Sequence, residues 1–165
     1  MTTSENQSGA GDFDFFIGSW RVEHRRLKER LVECTDWVEF SGTSVAQKIL
    51  GGQGNFDDNT LQLPGGAYCA ATIRTFNRET KQWSIWWIDG RNPGSLDVPV
   101  VGQFSNGAGL FFAEDALNGR AIKVRFMWTL SKPDRPRWEQ AFSADAGDTW
   151  ETNWVMEFSR NGTPP

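Results

Sequence analysis

Histidine and cysteine are nearly absent from these 165 residues. His24 stands alone, and Cys34 and Cys69 lie too far apart to form a metal-type pair. A zinc site needs three or four clustered His, Cys or carboxylate ligands, so no metal site is predicted. The two cysteines read as reduced, buried thiols. Equally missing are a G-x-S-x-G elbow, a P-loop and an H-E-x-x-H helix, which removes the common hydrolase, nucleotide and metalloprotease signatures. No apolar run reaches the length of a membrane span, and residues 1–12 are polar and Gly/Ser-rich without the apolar core of a signal peptide. The expected location is therefore cytoplasmic, away from a membrane. Basic charge is not in excess: the formal net charge is −4, and the one basic cluster, Arg21 to Arg30, is interrupted by Glu23 and Glu29. Nucleic-acid binding normally needs a continuous basic stripe, so no nucleic-acid partner is expected.

What is abundant is aromatic. Nine Trp and twelve Phe stand against a single Tyr. Such rings suit a core and also the wall of a ligand pocket. From Trp20 onward short apolar segments alternate with turn signals, the pattern of an all-β sandwich or barrel. Strands are predicted near 19–31, 35–50, 52–57, 66–77, 82–89, 100–105, 109–116, 121–131, 137–144 and 152–160. Asp57-Asp58-Asn59, Asn77 to Thr80, Asn106-Gly107 and Asn118-Gly119 read as turns, because Asn-Gly pairs adopt positive φ readily. Gly51-Gly52-Gln53-Gly54 reads as a bulge or tight turn. Phe13 to Gly18 is too short and too apolar for a surface helix and fits a single turn plugging a barrel end. The fold class expected is all-β: one antiparallel up-and-down barrel of about 8–10 strands with a short N-terminal plug, spanning 13–160 between tails at 1–12 and 161–165. Ser143 to Trp150 matches S-x-D-x-G-x-T-W, the Asp box, and resembles the sialidase-type hairpin in those eight residues only. Asp145 and Trp150 are accordingly assigned to folding.

Gly18-Ser19-Trp20 resembles the G-x-W that opens the first strand of lipocalin-like (calycin) chains. In those chains the Trp closes the barrel floor and a terminal Arg stacks over it, a role that Arg160 matches here. The stretches Phe13-Asp14-Phe15 through Trp20, Ile49 to Gly52, and Trp150 through Arg160 resemble a bacterial family of lipocalin-like proteins marked by F-D-F-x-x-G-x-W and N-W-x-M-x-F-x-R. The resemblance implies a fold; lipocalin-like barrels include carriers, haem binders and cofactor-free enzymes.

Side chains alternate across a strand, so an inward Trp20 turns Val22, His24 and Arg26 inward too. If Arg160 meets Trp20, Phe158, Met156 and Trp154 face in, while Asn153 and Glu157 face out. Among 82–91 the face with Trp83, Ile85, Trp87 and Asp89 is taken as inward, and among 120–130 the face with Trp128. The expected cavity is thus aromatic, with Trp37, Trp87 and Trp128 in its wall and Arg26, Tyr68, Arg74 and Asp89 as polar contacts for the substrate. His24 is the expected general acid/base, oriented by Glu39 or Asp89, and Arg26 or Arg74 the holder of an anion. Two functions follow. One is a cofactor-independent lyase or isomerase on a hydrophobic or aromatic small molecule; the other is a non-catalytic carrier or sensor of such a ligand. Haem ligation by His24 is a third, weaker reading, and no cofactor is expected. An apolar outer face, such as that of Trp86 and Ile88, allows a homodimer.

Overall fold

The computed structural model describes residues 9–160. Ten antiparallel strands close into one barrel: β1 (Gly18–Leu27), β2 (Trp37–Ile49), β3 (Gly54–Leu63), β4 (Gly66–Asn77), β5 (Gln82–Asp89), β6 (Val100–Ser105), β7 (Ala108–Leu117), β8 (Arg120–Thr129), β9 (Arg137–Ser143) and β10 (Glu151–Arg160). Each strand pairs with its sequence neighbour, and β10 returns to pair with β1, so the sheet has no free edge. Asn106-Gly107 and Asn118-Gly119 close the β6–β7 and β7–β8 hairpins with φ of 52°, 77°, 51° and 80°, the positive values that two-residue hairpins require.

One end of the barrel is sealed from within. A single 3₁₀ turn, Asp14–Phe16, carries Phe13 and Phe16 into the interior. Phe13 meets Trp83 edge-on at 4.9 Å, and Phe16 stacks on Trp20 at 5.8 Å and against Phe158 at 5.2 Å. The Trp20 indole donates to Phe16 O at 2.7 Å. Arg160 lies 3.7 Å over the Trp20 ring and donates to Ile17 O and Phe15 O, so one guanidinium ties β10, β1 and the plug together. Gly18 has φ of 120°, and a Cβ there would fall 2.5 Å from the Arg160 Nη1. The glycine of G-x-W therefore makes room for the arginine.

Several expectations need correction. Asp57-Asp58-Asn59 is not a turn but the middle of β3, with Asp57 and Asn59 buried. The composition is that of a turn, yet Arg74 on neighbouring β4 supplies a counter-charge, and the extended strand is what brings the two together. Asn153 does not face water: β10 shifts register between Thr152 and Trp154, and the extra residue is folded inward, where Asn153 accepts from Gln140. Neither cysteine is buried; Cys34 is half-exposed and Cys69 exposed, and both are free. Of the expected tails, residues 1–8 and 161–165 lie outside the described residues. Residues 9–12 form a turn in which Asp12 accepts from Gly9 N and from the Trp83 indole.

The Asp-box hairpin is built as its residues imply. Asp145 accepts from the Ser143 hydroxyl and from Thr149 N, and the Trp150 indole donates to Gly147 O. The Thr149 hydroxyl, then Thr149 N and the Ser143 hydroxyl, all donating to Asp145, hold its carboxyl down to about 2.

Candidate functional site

The end of the barrel opposite the plug is open and leads to a cavity of about 510 Å³. Aromatic rings and charged groups share its wall: the rings include Trp87 on β5, Phe126 on β8, Trp138 on β9 and Trp154 on β10, with Tyr68 of β4 nearer the mouth. Trp154 meets both Trp87 and Trp138 edge-on at 5.4 Å. All four wall rings sit at alternate, inward positions of their strands, as the barrel geometry demands.

The polar groups are cationic in excess. Arg26, Lys28, Arg30 and Arg91 line the cavity against two carboxylates, Asp89 and Asp97, although the chain as a whole carries −4. Arg26 is half-buried, with its guanidinium 4.9 Å from the Trp154 ring and 5.4 Å from Phe40. It donates to the Tyr68 hydroxyl at 3.0 Å, and among the described residues no carboxylate lies within ion-pair range of it. Asp89 is occupied elsewhere: it pairs with Arg91 at 2.7 Å, and that bond draws its carboxyl below the usual range. Arg91 in turn stacks 3.8 Å over Tyr68. Arg30, in the connection after β1, lies over Phe142, and its Nε is buried with no hydrogen-bond partner among the described residues. Burial, and then the charge of Arg26, pull its guanidinium below the ordinary value. Asp97 hangs at the rim, where partial desolvation and the carboxylates of Asp115 and Asp89 raise its carboxyl.

The residues singled out in the sequence divide into three groups. Arg26, Tyr68, Trp87 and Asp89 do line the cavity. Arg74 and Trp128 lie deeper, around a chamber of about 30 Å³ that adjoins the cavity across Trp87, Phe126 and Trp138. There Arg74 is bound to Asp57 at 2.6 Å and to Asn55 at 2.9 Å, and it is stacked among Phe13, Phe16 and Trp128. Trp128 is 2% exposed and packs on the plug, so both belong to the floor. Glu39 and Trp37 are on the outer face: Glu39 pairs with Arg25, which also covers the Trp37 ring at 4.9 Å. Their parity is opposite to that of Phe40, the partner of His24 across β1–β2. Glu39 therefore does not orient His24, contrary to the sequence reading.

His24 faces inward as expected but is not part of the cavity wall. Its ring stacks on Phe40 at 4.6 Å, and its Nδ1 accepts from the Trp154 indole at 3.2 Å. Gly42 leaves space for it, since a Cβ there would come within 3.1 Å of Nε2. Burial first, and then Arg26, lower its pKa from 6.5 to about 3. General acid/base work near neutral pH needs a group that changes charge there and touches its substrate. His24 meets neither condition; it backs Trp154, which touches the cavity. The sequence reading did not name Arg30, Trp138 or Trp154 as wall residues, although it turned Trp154 inward by its parity with Arg160. Arg30 shares the parity of Trp20 within the strand predicted over 19–31, but β1 ends at Leu27, so Arg30 reaches the cavity from the connection that follows.

No group of three His, Cys, Asp or Glu side chains among the described residues stands close enough to hold a metal ion. Among the described residues no helix is long and apolar enough to cross a membrane. No family model matches the chain, and no curated protein matches it in sequence. Among solved structures, an S-type phycobiliprotein lyase from Guillardia theta matches with a TM-score of 0.60 over 92% of each chain, at 8% identity. That likeness shows the fold alone, a closed antiparallel β-barrel.

Proposed function

We propose that this barrel binds one flat, amphipathic small molecule that carries an acidic group, and that it belongs with the bacterial lipocalin-like barrels its motifs resemble. The observation that carries the reading is Arg26: a half-buried guanidinium, stacked on aromatic rings, with a hydroxyl partner and no carboxylate in range. A guanidinium held away from bulk water without an anion is costly, and a planar carboxylate or enolate matches its donors. The rings of Trp87, Trp138 and Trp154 offer apolar area on the scale of a conjugated ligand. A fold shared with a phycobiliprotein lyase makes a conjugated pigment of that kind a sensible natural ligand to try.

The test is titration with 2-naphthoate, followed by quenching of tryptophan fluorescence. Arg26→Gln is expected to weaken binding about tenfold or more, the scale of one charge-assisted hydrogen bond, while leaving a neutral naphthalene amide unaffected. Equal affinities for the acid in both proteins would remove Arg26 from the site and the reading with it.

A second reading, lyase or isomerase chemistry, is favoured by the name of that structural neighbour. In this version Tyr68 and Asp97, which line the cavity, carry the proton in place of His24. Mass spectrometry of the recovered ligand separates the two: an unchanged molecule supports a carrier or sensor, an altered one supports an enzyme. Both allow His24→Gln to keep the function.

A further inference from the structure

We infer that the natural ligand carries two negative charges, the second of them held by Arg30. The inference rests on the reading of the cavity as a binding site and narrows the class of molecule it takes. Three observations combine. Arg26 and Arg30 line one cavity, and the charge of Arg26 is felt at Arg30. Neither has a carboxylate within ion-pair range among the described residues, and the Arg30 Nε is buried without a partner. Of the acids nearby, Asp89 is paired with Arg91, and Glu151, whose Oε1 accepts from the backbone N–H of Leu31 at 2.8 Å, offsets part of the Arg30 charge from beyond ion-pair distance.

Two like charges in a partly desolvated cavity repel each other, and a single anion at Arg26 leaves Arg30 without a direct ion pair. A molecule that brings one negative charge to each guanidinium relieves both costs at once. Lys28 at the mouth adds to the attraction, and Arg91 is cancelled locally by Asp89. Arg26 and Arg30 lie over Trp154 and Phe142, two rings that line the same cavity, so both cations stand on its aromatic wall. The ligand class is therefore a flat, conjugated molecule with two carboxylates, or one with a single doubly charged phosphate monoester that bridges the pair.

The experiment compares 2-naphthoate with a set of naphthalene dicarboxylates of different spacing and with 1-naphthyl phosphate, by fluorescence titration at two salt concentrations. At least one dianion is expected to bind the unaltered protein about tenfold tighter than the monoacid, with a steeper loss on adding salt. Arg30→Gln should erase that preference, weakening the dianion about tenfold more than it weakens 2-naphthoate, and Arg30→Lys should keep much of it. Preference for the phosphate alone would assign both arginines to one group, and preference for a dicarboxylate would assign them to two. If the monoacid binds and no dianion binds more tightly, or if Arg30→Gln weakens all the probes alike, the inference is overturned and the site stands. If no naphthalene acid binds at all, the reading of the cavity itself fails, and this inference goes with it.

Discussion

The imidazole of His24 is enclosed by Phe40 and Trp154, so protonating it in the folded chain means charging a buried group that already feels the cation of Arg26. Its pKa of about 3 in the fold, against 6.5 in an open chain, has a definite sign. Above pH 6.5 the group is neutral in both states and neither adds nor subtracts. Below 6.5 the unfolded chain takes up a proton that the folded chain refuses, so stability falls as pH drops, by about 1.4 kcal/mol per pH unit at most, until the folded pKa is reached. Denaturation midpoints measured from pH 7 to pH 4 should therefore decline, and His24→Gln should flatten the decline. Because the chain has one histidine, its imidazole NMR signals need no assignment, and a midpoint near 6.5 in the folded protein would contradict this picture. The sequence was sufficient to turn His24 inward, through its parity with Trp20. It could not reveal that Trp154, 130 residues away in the chain, would occupy Nδ1, because that contact depends on how β10 pairs with β1.

At the scale of a single strand, β3 and β10 show where alternation misleads. β3 turns Asn55, Asp57 and Asn59 inward and Phe56 outward, the reverse of an apolar-in pattern. A reader of the sequence sees Asp-Asp-Asn and infers a turn; only the presence of Arg74 diagonally opposite on β4 makes the extended form affordable. Asp57→Ala leaves that guanidinium buried beside Asn55 without its anion, and is expected to cost about 3–5 kcal/mol in chemical denaturation. A loss below about 1 kcal/mol would mean that water reaches Arg74. In β10 the bulge at Thr152–Trp154 moves Asn153 inside, which no count of residues back from Arg160 anticipates. The strands joined by Asn-Gly turns, β6 through β8, were legible to within two residues because the turn chemistry and the barrel ask for the same thing there, even though Val101, Leu110 and Phe112 face outward and exposed.

For the molecule as a whole, the barrel was legible from turn spacing and from the Trp20–Arg160 pair, whereas the cavity was legible only in part. Which rings become floor and which become wall is decided by how deep the plug reaches, and Trp128 lost its expected place to Phe13 and Phe16 in that way. The hoop of strands is not uniform. β5 and β6 share three paired positions, Trp83–Gly102, Ser84–Val101 and Ile85–Val100, while β1 and β2 share ten. Hydrogen exchange should find the β6 amides among the first strand amides to lose protection, and those of β1 among the last. Equal protection around the barrel would show that the seam opens only with the whole fold. The pairing of β1 with β10 carries a consequence for how the chain is made. While the ribosome is still adding residues before Glu151, the nascent polypeptide can form at most an open nine-stranded sheet with β1 and β9 as bare margins. Each margin offers unpaired amides and carbonyls to any neighbouring chain. Synthesis of the last strand is thus the step that ends its exposure to self-association, and a message truncated shortly before that point would yield aggregates and not a smaller barrel.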